Sequence, residues 1–269
     1  MGLFLILGAL ALAFTGAGAA DIDAGRGIYA SNCAVCHGPN GRADAASPVV
    51  KGIGVMPADF SDPLFNSREP SGDWEMVIKH GGYALGLAEQ MPAQKDALDD
   101  RQIENVTAYI KTMADTGDYP PGEMNLMLPT RVKKAFPEDE VVYKSRFTDQ
   151  AGENSYKNVL EFEKRIGKSG QAILELVHES EGNVSELSEI EVGSKRALAF
   201  NKQHLLSAAA VVALPIEADG DGELQTYFPS AAEISPEWTF QSSLRFKFPF
   251  EKASDGEVEL GGIVHYVHS

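Results

Sequence analysis

From about residue 141 to the end of the chain, apolar and polar residues take turns at a spacing of two. Phe240, Ser242, Leu244, Phe246, Phe248 and Phe250 alternate with Gln241, Ser243, Arg245 and Lys247. Val258, Leu260, Val264 and Tyr266 oppose Glu257, Glu259 and His265, and Ile190, Val192, Leu198 and Phe200 oppose Glu189, Glu191 and Lys195. Successive side chains on a strand point to opposite faces, so each run predicts a strand with one apolar and one polar face. Further strands are expected at 141–148, 155–166, 170–179, 203–216 and 223–231, with Gly167–Gly170 and Asp219–Gly222 as turns. Eight strands in succession make residues 140–269 an antiparallel β-meander, a barrel or partial barrel. Two architectures share this alternation: a soluble sandwich or barrel with the apolar face inward, and a transmembrane barrel with the apolar face outward and charges in the lumen.

Before residue 115 the period is helical. Asp21–Asn32 reads as a helix with acids at its N-terminus, and Gly25, Tyr29 and Cys33 fall four apart on one face of it. Asp99–Met113 reads as a second helix. Ile103, Val106, Ile110 and Met113 form its apolar stripe, and Asp99 with Gln102 its capping box. A shorter helix is expected at Gly72–Lys79, stopped by the glycines after His80. Between the halves, Pro120-Pro121, Leu128-Pro129 and Phe136-Pro137 break all periodicity and predict a linker over 115–139. The fold class is therefore multi-domain, an all-α half at 21–114 followed by an all-β half.

The first 20 residues stand apart. An apolar run from Leu3 to Phe14 is followed by Thr15-Gly-Ala-Gly-Ala-Ala20, which predicts a cleaved signal peptide at 1–20, too short to span a bilayer, although no Lys or Arg precedes it. The formal net charge of -16 argues against nucleic acid. Residues 21–118 hold 15 acids and 8 bases, a net of -7, which leaves -9 for the remainder. The acidity is spread over both halves and fits a redox protein partner with a basic docking face, or simple solubility.

The chemistry lies at Cys33-Ala34-Val35-Cys36-His37-Gly38, which uses both cysteines of the chain. C-x-x-C-H is the attachment pattern of a c-type haem, two thiols for the porphyrin vinyl groups and a histidine for the iron. A zinc site would need a fourth ligand, a thioredoxin-like pair would sit near a βαβ unit, and a plain disulfide leaves His37 without a role. In the β half, His178, His204, His265 and His268 have no ligand spacing, and no Walker loop or triad pattern occurs.

The order G-x-x-x-Y-x-x-x-C-x-x-C-H-G, then a Met-Pro step, then a helix ending Ala-Tyr-Ile resembles single-haem class I cytochromes c over residues 21–114. The resemblance implies one haem c held through Cys33 and Cys36, His37 and Met91 as axial ligands, and a crossing of first and last helices at Gly25 and Tyr109. Met91 stands in Gln90-Met91-Pro92-Ala93, with Met56 and His80 as competitors for the sixth position. With His and Met on the iron no site stays open, so the expected function is one-electron transfer and not catalysis. Residues 161–215 (E-F-E-K-R-I-G, S-E-I-E-V-G-S-K-R-A-L, A-A-V-V-A-L-P) resemble, more weakly, an outer-membrane barrel of the transporter type. The end at His265–Ser269 departs from that class, which closes on an aromatic. Together they imply an exported, periplasmic electron carrier whose residues 140–269 associate with the outer membrane. The alternatives are a channel or binding module with the cytochrome as sensor or plug, and a haem enzyme with a labile sixth ligand.

Overall fold

The computed structural model describes residues 19–266 apart from 130–131, 151–152, 182–183, 217–221, 236 and 252–255. The expected signal peptide, save Ala19 and Ala20, most of the Asp219–Gly222 turn, and His268 lie outside the described residues. The helical half comes first: α1 Ile22–Asn32, α2 Ala34–His37, α3 Pro48–Ile53, α4 Pro63–Asn66, α5 Ser71–Ala84 and α6 Asp100–Lys111. An eight-stranded antiparallel sheet follows, curled into a half-barrel. Its strands are β1 Glu140–Gln150, β2 Glu153–Ile166, β3 Gly170–Glu181, β4 Val184–Phe200, β5 His204–Pro215, β6 Glu223–Ser235, β7 Trp238–Pro249 and β8 Glu257–Tyr266. Each strand pairs with its neighbour in sequence, so the α plus all-β expectation holds.

Local signals account for the helix ends. Asp21 caps α1 by accepting from Ala24 N at 3.0 Å, and the capping box at Asp99 and Gln102 closes in both directions. Helical geometry in α5 breaks at Gly81, φ +77° and ψ 165°, where the glycine stop was expected, and one further turn follows the kink to Ala84. The first and last helices cross where α1 offers no side chain. A Cβ on Gly25 would lie 2.0 Å from Asn105 O and 3.0 Å from Tyr109 Cβ. The crossing shields one apolar cluster of Tyr29, Phe60, Trp74, Ile78, Leu98, Ile103, Val106 and Ile110.

The sheet is inverted relative to a water-soluble half-barrel. Its covered, concave face carries Glu161, Glu175, Lys195, Gln171, Ser207 and Gln241, all buried, interleaved with buried apolar residues such as Ile173, Val177, Leu205, Val211 and Tyr227. Its open face carries Tyr143, Phe147, Leu174, Val192, Leu206, Phe228, Phe248, Leu260 and Val264, all exposed. The two faces keep their character from strand to strand because the antiparallel register aligns them, as at Phe162–Leu174–Val192. One expectation is corrected. Phe200 was grouped with Ile190, Val192 and Leu198, but a bulge between Ala197 and Ala199 inserts one residue and turns Phe200 inward. Leu198 stays exposed while Phe200 packs with Met124, Phe136 and Leu205.

The stretch 115–139, expected as a linker, is in large part a strap laid in the concave face. Met124, Ala135 and Phe136 are fully buried there. Five strands bond it. Gln241 donates to Met127 O at 2.8 Å, Lys195 to Lys134 O at 3.0 Å and Ser207 to Ala135 O at 2.6 Å. Glu138 N donates to Gln171 at 2.8 Å, and Lys133 Nζ sits 2.5 Å from Glu175 and 3.6 Å from Glu161. The strap is also joined to the helical half. A Cβ on Gly122 would lie 2.1 Å from Glu69 O, Ser71 donates to Glu123 at 2.8 Å, and Asn125 Nδ2 to Arg68 O at 3.1 Å. From β2, Arg165 reaches Ser67 Oγ at 3.4 Å and covers the Phe136 ring. Among the described residues no helix is long and apolar enough to cross a membrane.

Candidate haem site

The C-x-x-C-H segment is wound tightly because α1 runs straight into α2. Cys33 N donates to Tyr29 O, and His37 N to Cys33 O at 3.0 Å, so both thiols and the imidazole leave one short helical turn. Gly38 ends it at φ +75°, the left-handed region where a Cβ is strained and would here meet Arg42 O at 2.1 Å. The Tyr29 hydroxyl, buried at the helix crossing, donates to Gly38 O at 2.7 Å and ties the motif to the core. Burial pushes the Tyr29 phenol above its ordinary value.

His37 is oriented by two contacts. Nδ1 lies 3.2 Å from Ala58 O, which fixes the Nδ1–H tautomer and leaves Nε2 with its lone pair free. Its ring stacks on Phe60, centroids 4.4 Å apart and 17° between planes. Burial lowers its pKa, with the Ala58 bond opposing in part, which favours the neutral ring that a metal ligand requires. The two cysteines are free thiols. Burial, and then the neighbouring Cys36, push the Cys33 thiol up to about 11.

Met91 arrives from the opposite end of this half. The loop after α5 folds back on its own helix. Gly82 N donates to Met91 O at 2.9 Å, Gln94 N to Ile78 O at 2.9 Å and Lys95 N to Lys79 O at 3.3 Å. Gly81 makes the approach feasible, since a Cβ there would come within 2.9 Å of Met91 O. The structure thus packs Cys33 and Met91 against the same apolar cluster, the one that includes the ring stacked on His37. Met56, a competitor in sequence, is exposed and no part of that cluster. His80 lies half-buried in the last turns of α5.

Two supports went unseen in the sequence reading, the Ala58 carbonyl and the Phe60 ring, both on the segment after Met56-Pro57. The segment is held by a bond from Phe60 N to Gly41 O at 2.7 Å, by Asn66 Nδ2 donating to Phe60 O at 2.9 Å, and by Asp59. Asp59 accepts from Ser61 and from Arg42 Nε at 2.9 Å, which holds its carboxyl below the usual range. Nothing in the residue types around Ala58 signals a carbonyl aimed at His37.

The donor set fits haem c: two free thiols and a histidine with Nε2 open on one turn, and a thioether braced at the same apolar cluster. Comparisons with known proteins point the same way. Residues 20–110 match the family described as cytochrome c oxidase, cbb3-type, subunit III. Cytochrome c6 of Gracilaria tenuistipitata var. liui is 31% identical over 99 residues, 37% of this chain and 79% of that protein. No solved structure matches the chain. This half defines a small haem-binding electron carrier. The chain belongs to the cytochrome c family.

Proposed function

We propose that the chain is an exported electron carrier with a single haem c, seated at the outer membrane by its β half. Cys33 and Cys36 form the two thioether links, and His37 Nε2 and Met91 Sδ hold the iron. Bound haem c supplies a one-electron Fe(III)/Fe(II) couple. The protein does the rest. Ala58 O and Phe60 fix the plane of His37, Gly81 and Gly82 brace the Met91 loop, and Tyr29, Trp74 and Ile78 keep water from the cluster. A carrier needs little rearrangement between its two charge states, and these restraints serve that end. A redox partner with a basic face suits the acidity of residues 21–118.

The observation that carries the reading is the arrangement of His37, with its Nδ1 engaged and Nε2 open, beside the same cluster that Met91 meets. For the β half, what supports membrane seating is the inverted polarity of the sheet, apolar on the open face and charged on the concave one, the pattern of outer-membrane barrels. The strap occupies the concave face through which a channel would have to run.

Absorption spectra of the purified protein, oxidised and reduced, test the first part. Haem that resists acid-acetone extraction, with low-spin reduced bands and a sulfur-to-iron band lost in Met91→Ala, is expected. Extractable haem, or an unchanged spectrum and potential in Met91→Ala, overturns the ligand set. Fractionation tests the second part. Recovery of the chain in the outer-membrane fraction, released by detergent and not by high salt, is expected, and a salt-soluble chain overturns the seating.

A further inference from the structure

Where the strap meets the sheet, three carboxylates converge. Glu138, at the end of the strap, is buried to 6% exposure; its Oε1 takes Lys134 Nζ at 2.5 Å, and its Oε2 has no hydrogen-bond partner and no contact with solvent. Glu140 opens β1, and its Oε1 is likewise enclosed and without a partner. Glu163 stands directly across from Glu140 in the β1–β2 register and accepts from Gln171 Nε2. One oxygen of each residue lies within 4.8 Å of the other two. Two enclosed carboxylate oxygens on neighbouring acids are a standing cost when both are ionised, because each has given up water and gained no donor.

We propose that Glu138, Glu140 and Glu163 hold one divalent cation, of the calcium kind, which clips the strap to the first two strands. The donors are all carboxylate oxygens with no His or Cys among them, the set preferred by hard cations. Three atoms mutually within 4.8 Å leave a point no more than about 2.8 Å from each, a span within which the 2.3–2.6 Å of calcium–oxygen contacts can be met, and calcium sheds its waters more readily than magnesium. A cavity of about 30 Å³ lined by Glu138, Glu163, Lys134 and Lys195 adjoins the group, room for a water to complete the shell. Lys134 occupies the far oxygen of Glu138, and Lys195 lies 4.0 Å from Glu163, so three acids face two ammonium groups and one negative charge is in excess. The clip joins Glu138 to β2, 25 positions further on, and so closes the strap's exit from the half-barrel. It depends on neither the haem ligands nor the membrane.

The test uses the full, haem-bearing chain in detergent, stripped with a chelator and titrated calorimetrically with calcium chloride. Saturable binding of one ion per chain is expected, weakened at least about tenfold in Glu163→Gln and in Glu140→Gln, with Glu175→Gln, a buried acid outside the trio, unchanged. Thermal melting of the sheet, followed by circular dichroism in calcium and in chelator, gives a second readout on the unaltered protein. A higher midpoint in calcium supports the clip. Equal midpoints, or calcium heats that Glu163→Gln leaves intact, overturn it.

Discussion

Gly25→Ala isolates the helix crossing that holds the haem motif. An added methyl would lie 2.0 Å from Asn105 O, with 3.0 Å to Tyr109 Cβ. Because the obstacle is the α6 backbone and not a side-chain tip, α1 and α6 have to separate by about 1 Å, a gap that forfeits a quarter to a half of each dispersion contact across it. Overpacking of this kind costs about 3 kcal/mol at the upper end, and the better helix propensity of alanine returns about 1. The net expectation is a loss of about 2 kcal/mol, or a fall of roughly 0.7 M in the guanidinium midpoint at a slope near 3 kcal/mol/M. Gly27, two residues on in the same helix, has nothing within 4 Å of its would-be Cβ. Gly27→Ala should therefore stabilise by up to about 1 kcal/mol. Both variants are read by the haem band of the full chain, which reports on the helical half alone. Midpoints that move in the same direction, or Gly25→Ala at the wild-type value, would refute the claim that backbone contact at the crossing carries this stability.

Other outcomes follow from contacts already described. Tyr29→Phe removes the donor to Gly38 O and should lower the stability of the helical half by about 1–2 kcal/mol, read by the same guanidinium titration. Val192→Arg puts a charge in the middle of the open face. A lipid-facing site should lose about 2–4 kcal/mol, seen as less chain assembled in outer membranes, whereas a water-facing site should be indifferent. Asp59 has a folded pKa depressed below 3.8, chiefly by Ser61 and also by Arg42. It binds its proton more readily when unfolded, so its contribution is present above about pH 3.8 and is lost as the pH falls through the folded value. Asp59→Asn should accordingly flatten the acid limb of a stability–pH curve below about pH 4, and an unchanged limb would count against the Ser61 and Arg42 contacts.

Much of this arrangement was legible in the residues. Gly25, Tyr109 and the Asp99–Gln102 box declare the α1 and α6 helices because glycine spacing and capping chemistry are local properties. The eight strands declare themselves through a period of two. What alternation cannot give is curvature: it separates Leu174, Val192 and Leu260 from Glu175, Glu191 and Glu259 but does not say which set lies inside. That depends on the strap, and the strap's prolines imitate a free linker while Val132, Ala135 and Phe136 are buried. The bulge at Ala197 escaped notice because one inserted residue inverts Phe200 without disturbing the run of residue types. The haem motif was plain in sequence, yet its restraints were not, since a backbone carbonyl at Ala58 carries no signature in the residue that bears it.

The junction at Gly122 has a bearing on traffic. A cytochrome on a loose leash would sweep a volume, meeting donors and acceptors wherever they drift. Here only residues 112–121 separate the last helix from a point where chain backbone lies against Glu69, and beyond that point five strands grip the strap. The haem half is consequently a fixed station: its address on the sheet is set at folding, so in the electron-transfer role proposed above any partner would have to come to it.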